Sequence, residues 1–329
     1  MKLSHLLYFL VPLASARAIP YHRQIPITEE SATEDLTSAK KIDLDATPSI
    51  GVHFTTTQAV VAARYSNGTT IDVVQIPGDA GYTDLMSRWM FRYSDYEILR
   101  NRNDSVVLAA FISRVHTTIE AQLKIPVKQI TPAVVFPLGR AQQTLFQSAL
   151  LLTGFTSSKS SKEGSVIYPE SYATHAALVH ASCTHQTLQE QHQNVLVIAF
   201  DDSSFSASMH QTSCDRKSSQ PQPRMIGYVA RSDLGWWNLP VYEAPRAKFW
   251  SKLQEAVIDA ISGLGKPPGR IVLSGSHGGD KEFKGKIEEA LWAELEVDVR
   301  TLLGSSQEAD NEWLAARGAA ELGTATYTR

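Results

Sequence analysis

Residues Ile50–Thr70 read IGVHFTTTQAVVAARYSNGTT. Two apolar runs of strand length flank a hydroxyl-rich turn at Thr55–Thr57, and Asn67-Gly68 follows the second run. Asn-Gly is a favoured pair for a two-residue hairpin, because both central positions of that turn need positive φ. A third apolar run, Ile71–Ile76, comes directly after it. The segment is therefore expected to fold as successive antiparallel strands, and any architecture for the chain has to be built around a sheet that begins this way.

Further strands are expected at Gln129–Pro137, Val166–Ile167, Asn194–Phe200, Ser204–His210, Met225–Arg231, Ile271–Leu273 and Val297–Arg300. Val107, Phe111, Val115, Ile119 and Leu123 recur in four-residue steps and predict a helix over Val106–Leu123. Helices are likewise expected at Arg140–Thr153, ended by Gly154, and at Glu170–His180. Phe249 to Leu264 and Phe283 to Leu295 each carry an apolar stripe, and Trp313–Leu322 reads as a last helix. Ser157–Gly164 and Gln211–Arg224 read as polar loops, and Ser274–Asp280 as a glycine-rich turn. Hairpins followed by βαβ-like units, given twice, point to two similar α/β lobes.

The chain has 329 residues, a formal net charge of −3 and 43% hydrophobic content. That length suits two lobes, and the charge balance gives no reason to expect nucleic acid or a charged membrane surface as partner. Lys2 precedes the apolar run Leu6–Leu13, and Ala16-Arg17-Ala18 is a small-x-small cleavage site. Residues 1–18 thus read as a secretory signal peptide and 19–47, polar and acidic, as a disordered leader. After residue 18 no stretch reaches the ~18 apolar residues of a membrane span. Asn67-Gly68-Thr69 and Asn103-Asp104-Ser105 are glycosylation sequons, with Asn67 and Asn103 as acceptors. Cys183 and Cys214 are the only cysteines, and an oxidising compartment would let them pair as a disulfide. The secretory pathway, extracellular or ER-lumenal, is the expected location.

Several segments, in order, resemble the seventy-kilodalton heat-shock protein (DnaK-like) branch of the actin-like ATPases. The Ile50 hairpin is similar to that family's first phosphate-binding hairpin. Phe136-Pro137 with Arg140-Ala141-Gln142-Gln143, Ala149 and Gly154-Phe155 resembles its strand-Pro-helix segment. Glu170–Ala177 resembles its crossing helix, Val197–Ser208 its second phosphate hairpin, Ile271–Ser276 its adenosine strand and turn, and Ala316–Ala320 its closing helix. The resemblance covers roughly Pro48 to Leu322. It implies an α/β, two-lobed actin-like ATPase fold, with lobe I over 48–185, lobe II over 186–312, and a C-terminal helix at 313–329 returning to lobe I. The intervals after Pro77 and after Trp237 leave little room for the family's outer subdomains, so these are expected to be reduced.

The resemblance also implies a nucleotide between the two hairpins, held by backbone N–H groups at glycine turns and by carboxylates around hydrated Mg²⁺. The degenerate nucleotide loops would be Thr55, Thr56 and Thr57, then Ser203 and Ser204, then Gly275 and Ser276. This sequence departs from the pattern at the chemistry. His53 stands where the family has an aspartate, and Thr55 where it has a glycine. Ala199 and Ser206 replace two further acids, and Asp201, Asp202 and Ser203 replace loop glycines. Two carboxylates in a phosphate cradle repel a polyphosphate. Only Glu170 matches the catalytic carboxylates. The expected function is therefore non-catalytic, with no cofactor: binding of a protein or small ligand. The alternative is a divergent nucleotide-binding ATPase or phosphotransferase using ATP and Mg²⁺ in the interlobe cleft, with Glu170, Thr56, Thr57 and Gly275 as its site and Asp201 or Asp202 as a relocated metal ligand. A third reading is a cargo-holding chaperone without a nucleotide cycle.

Other features read more plainly. Thr55–Thr57 serves equally as a polar turn that holds the fold, and Asp201-Asp202 as turn-initiating residues that satisfy their own backbone. His175, His180, Cys183 and His185 lack zinc-site spacing, because residues five apart on a helix diverge. His277-Gly278-Gly279 is similar to a lipase oxyanion segment, but no Gly-x-Ser-x-Gly elbow accompanies it. Trp236 and Trp237, if in a strand, point to opposite faces, one into the core and one outward.

Overall fold

A computed structural model describes residues 47–90, 103–157, 160–161, 164–179, 192–213, 222–262, 267–295, 299–303 and 311–324. The fold is mixed α/β, built on two mixed sheets. In the first, β1 (Ser49–Phe54), β2 (Gln58–Arg64) and β3 (Thr70–Pro77) form an antiparallel meander. β4 (Gln129–Val134) lies on the other side of β1 and runs parallel to it. The sheet order is β3-β2-β1-β4-β5, with the two-residue strands β5 (Thr156–Ser157) and β8 (Tyr168–Pro169) both pairing with β4. β6 (Ser160–Ser161) and β7 (Gly164–Ser165) make a small separate ladder.

The second sheet repeats the scheme. β9 (His192–Phe200), β10 (Phe205–Ser213) and β11 (Gln222–Arg231) form a meander, and β12 (Arg270–Ser274) runs parallel to β9, in the order β11-β10-β9-β12. Each sheet thus runs third, second, first, fourth, with the fourth strand parallel to the first.

Strand alternation sends neighbouring side chains to opposite faces. Val52 and Phe54 of β1 face a core formed with α1 (Ala80–Met90), α2 (Asn103–Leu123) and α3 (Arg140–Leu152), where Phe54 meets Phe111 and Phe146 edge-on. Leu196, Ile198 and Phe200 of β9 face α5 (Glu243–Ile261) and α6 (Lys281–Leu295) in the same way, and the short helix α7 (Val299–Leu303) adds Val299 to that core.

The opposite faces look toward α4 (Glu170–Val179) and α8 (Leu314–Thr324). Ala133 packs with Ala173, Ala315 and Ala319, Val60 and Ala62 pack with Ala316, and Val195, Val197 and Val272 pack with Leu178 and Leu314. α4 and α8 therefore form a layer between the two sheets. Small residues let these elements approach at backbone distance. A Cβ on Gly318 would lie 1.7 Å from the Ala173 carbonyl oxygen, and one on Gly51 would lie 2.1 Å from that of Ala316. Only glycine fits at either position.

Some expectations are corrected. The interval after Pro77, for which no element was expected, holds α1; its Tyr82, Leu85, Met86 and Trp89 are fully or almost fully buried. Val166 and Ile167 are not a strand, the paired residues being Tyr168 and Pro169. The segment expected as a strand at Val297–Arg300 contains instead the start of helix α7, because a single buried valine there does not distinguish strand from helix. The expected loop at 211–224 is narrower: Thr212 pairs with Pro223 and Ser213 with Gln222. Trp236–Asn238 is a 3₁₀ turn, with Trp236 half-buried and Trp237 exposed. No helix among the described residues is long and apolar enough to cross a membrane. The signal peptide, the leader up to residue 46, and Cys183, Cys214, His180 and His185 lie outside the described residues.

Candidate functional site

The two β-hairpin turns point at each other. The turn between β1 and β2 closes with the Thr55 N–H donating to the Gln58 carbonyl at 2.8 Å. The Thr55 hydroxyl oxygen accepts the Thr57 and Gln58 N–H groups at 3.1 and 3.0 Å. From outside, the Tyr82 hydroxyl donates to the Thr55 carbonyl at 2.7 Å, and the Gly78 N–H to the Thr57 carbonyl at 2.6 Å.

The turn between β9 and β10 closes in the same way, with the Asp201 N–H donating to the Ser204 carbonyl at 2.9 Å. Its side chains reach outward. Asp201 Oδ1 accepts the Ser276 N–H at 3.0 Å, and Asp202 Oδ1 accepts His277 Nε2–H at 2.8 Å. The His277 ring stacks on Trp236, 4.3 Å between centroids and 9° from coplanar. The Trp236 and Trp237 N–H groups donate to the Asp201 and Asp202 carbonyls at 3.0 and 2.8 Å. This embrace needs Gly235, where a Cβ would lie 2.2 Å from the Ser203 carbonyl carbon.

Across the gap, the Ser203 hydroxyl donates to the Thr56 hydroxyl at 2.5 Å. Thr56 is fully buried and Ser204 nearly so. Nearby, Gln58 Nε2 donates to Glu312 Oε1 at 2.5 Å.

Beneath this contact lies a polar cluster drawn from four elements. His53 of β1 is 2% exposed, as is Glu170 at the start of α4; Asp201 after β9 is 4% exposed, and Ser274 at the end of β12 is 1% exposed. His53 faces inward because it alternates with Val52 and Phe54. Its Nε2 lies 3.8 Å from Glu170 Oε2, too far for a hydrogen bond. Ser274 Oγ donates to Glu170 Oε1 at 3.3 Å. Neither ring nitrogen of His53, nor Glu170 Oε2, nor Asp201 Oδ2, has a hydrogen-bond partner among the described residues.

Burial in low dielectric favours neutral forms. It pushes His53 down to about 3. It raises Glu170 well above the ordinary carboxylate range, and the Asp201 charge adds to that, against the opposing Ser274 hydrogen bond. Asp201 is pushed up to about 6, first by burial and then by the Asp202 and Glu312 charges, although the Ser276 N–H and His277 oppose the shift. Two buried carboxyls that disfavour each other's ionisation hold a proton between them more readily than two charges.

The residues anticipated from sequence thus converge. Thr55, Thr56, Thr57, Ser203, Ser204, Gly275 and Ser276 line the two turns and the strand end beside them, and Glu170 lies under them. Gly275 has φ +87° and places the Ser276 N–H on Asp201. Asp201 was expected to satisfy its own turn; its carboxylate instead serves a backbone N–H 75 residues away. His277 and Trp236 were not singled out as partners of that turn, and no local pattern announces a contact at such separation. His175, on α4, is buried against His210 of β10, with ring centroids 6.2 Å apart, and burial pushes the two down to about 3 and about 4. Among the described residues, no group of three or more His, Cys, Asp and Glu side chains could hold a metal ion. Asn67 and Asn103 are both exposed. No protein family's sequence profile matches this chain, and no curated protein matches it in sequence.

Proposed function

We propose that the chain is a non-catalytic, secretory-pathway relative of DnaK-like ATPase domains, with an actin-like two-lobed fold and reduced outer subdomains, which acts by binding a protein or small ligand. The repeated sheet order, each a meander with a parallel fourth strand, supports the duplicated fold. The observation that carries the functional reading is the hydroxyl contact between Ser203 and Thr56. In the fold this reading invokes, phosphates lie between the two turns; here the turns bond to each other.

The surrounding residues fit magnesium-nucleotide poorly. The Ser276 N–H, which a ligand oxygen could use, is taken by Asp201. A neutral buried imidazole stands at His53 and burial favours the protonated form of Glu170, which does not suit a hydrated cation, while the Asp201 carboxyl, pushed up only to about 6, stands where a polyphosphate would need donors. No catalytic step is therefore assigned to Glu170.

Calorimetric titration of the purified chain with ATP and Mg²⁺ is expected to give no binding heat at millimolar nucleotide. Micromolar affinity would overturn the reading in favour of a divergent ATPase or phosphotransferase. So would ATP turnover that disappears in Glu170→Ala. Suppressed aggregation of an unfolded client, without dependence on nucleotide, would place the ligand among proteins.

A further inference from the structure

We propose that Asn67, and not Asn103, is the residue of this chain that takes an N-linked glycan, and that the glycan guards the outer edge of the first sheet. The inference rests on the secretory reading above and goes beyond it, because the sequence offers two sequons of equal standing.

The two sequons occupy opposite kinds of backbone. Asn67, Gly68 and Thr69 are all exposed at the tip of the β2–β3 hairpin. The Thr69 N–H donates to Asn67 Oδ1 at 2.8 Å, which engages the amide oxygen and leaves Nδ2 for chemistry. Gly68 has φ +85°, and the turn is closed by Tyr65 N–H to the Thr69 carbonyl at 2.9 Å and Gly68 N–H to the Tyr65 carbonyl at 3.0 Å. Arg64 Nη1 spans it, donating to the Gly68 carbonyl and Thr70 Oγ1 at 3.2 and 3.1 Å. A transferase can take hold of all three residues without disturbing the core.

Asn103, Asp104 and Ser105 are the first turn of α2. Asp104, the central residue, is 2% exposed. Its carboxylate accepts from Arg88 Nη2 at 2.9 Å and from the Trp89 indole N–H at 3.2 Å, which fastens α2 to α1. Once α1 and α2 have formed, drawing this triplet into an extended, enzyme-bound form unwinds the helix start and pulls apart an ion pair whose carboxylate is buried and whose guanidinium is half-buried. Exposure of the Asn103 residue does not remove that obstacle.

The reaction forms a bond between Asn67 Nδ2 and the anomeric carbon of a lipid-pyrophosphate-linked oligosaccharide. The bond from that carbon to the pyrophosphate oxygen breaks, the lipid pyrophosphate leaves with the electron pair, and Nδ2 gives up one proton. The product sits beside β3, which ends the first sheet: among the described residues no strand pairs with its outer side. An open edge with partly exposed Ile71, Val73 and Val74 is a template for edge-to-edge association, and a bulky polar chain at its start obstructs it.

The full chain, translated with ER-derived membranes, tests this by protease protection, glycosidase shift and peptide mass analysis. A protected chain with one glycan is expected, lost in Asn67→Gln and in Thr69→Ala, and retained in Asn103→Gln. A protected chain glycosylated at Asn103, or at neither site, overturns the proposal while leaving the secretory reading intact. A chain that stays protease-accessible overturns the secretory reading and the proposal with it. Enzymatic removal of the glycan from folded protein is expected to hasten aggregation; an unchanged rate overturns the edge-guarding role.

Discussion

The turns at Thr55–Gln58 and Asp201–Ser204 occupy the same place in their sheets and close with the same backbone bond, 2.8 Å in one and 2.9 Å in the other. They differ in where their side chains go. Thr55 turns its hydroxyl back onto its own loop, while Asp201 and Asp202 reach outward to Ser276 and His277. The first turn uses its Thr55 hydroxyl on itself and is braced from outside at its carbonyls by Tyr82 and Gly78, while the second sends its own carboxylates out to distant partners. Each also brings one buried titratable group to the shared cluster, of opposite type: His53 from the first hairpin and Asp201 from the second. The same topology can thus be stabilised locally or through distant partners, and the choice fixes how each half answers substitution and pH.

The second turn should be the more fragile to steric change. Gly235→Val puts a side chain into the Ser203–Ser204 backbone, where nothing flexible can yield, and should cost about 3 kcal/mol or more in urea unfolding. A loss under 1 kcal/mol, on the order of an ordinary surface change, would mean that the brace is loose.

Acid should break the first hairpin's side of the cluster. His53 is held at about 3 against an ordinary 6.5, so between those values the unfolded chain binds a proton that the folded one refuses. Stability then falls as pH drops below 6.5, by at most about 1.4 kcal/mol per pH unit per group, with His175 and His210 adding to the slope. His53→Gln should flatten the stability profile between pH 6.5 and 4; an unchanged slope would remove His53 from the cluster's titration.

The second hairpin carries the opposite sign. Asp201, ordinarily at 3.8, is held near 6, so the folded state keeps a proton that the unfolded chain releases. Its contribution is whole below 3.8 and is lost as pH rises through about 6. Asp201→Asn should therefore steepen the net gain in stability from pH 4 to pH 6, since one of the two carboxyls that oppose the histidines, the other being Glu170, is removed. Chemical denaturation at several pH values would read this, and a shallower profile would refute it.

The smallest effect joins the two halves. Thr56→Ala and Ser203→Ala should each cost about 1 kcal/mol, and their double-mutant cycle should return a coupling of similar size. A coupling of zero would show that the turns are neighbours without being bonded.

Much of the framework was readable from residue order, because strands and helices announce themselves locally. The hairpins at Ile50 and Val197 lie within about three residues of their strands, the Phe283 stripe lies inside its helix, and the Phe249 stripe does so as far as Ala260, Leu264 lying outside the described residues. Tyr82, Leu85, Met86 and Trp89 keep the helical spacing of α1, in an interval where the sequence reading places no element. The residues named from the sequence lie at the two turns and the strand end beside them, but their bonds were not legible. Thr56 and Ser203 are 147 positions apart, and Ser274 and Glu170 are 104 apart. Periodicity and turn chemistry report on a few neighbours, and no local signal tells an aspartate whether to satisfy its own turn or a distant amide. His277 illustrates the point. Its Gly-Gly neighbours drew attention to hydrolase chemistry, while its ring was committed to Trp236 and Asp202.

The contact between α8 and β1 bears on how the chain is made. Ser49 donates to the Ala320 carbonyl at 2.7 Å across 271 positions, and Gly51 lies against the backbone of the same helix. A ribosome delivers residues in order, so the first strand emerges long before the helix that covers its inner face. Until Leu314–Thr324 has emerged, Val60, Ala62 and Ala133 have no α8 to pack on. Pairings this distant also close slowly. The nascent protein must therefore spend most of its synthesis with one face of its first sheet uncovered, and its yield in a cell should depend on whatever shields that face in the meantime.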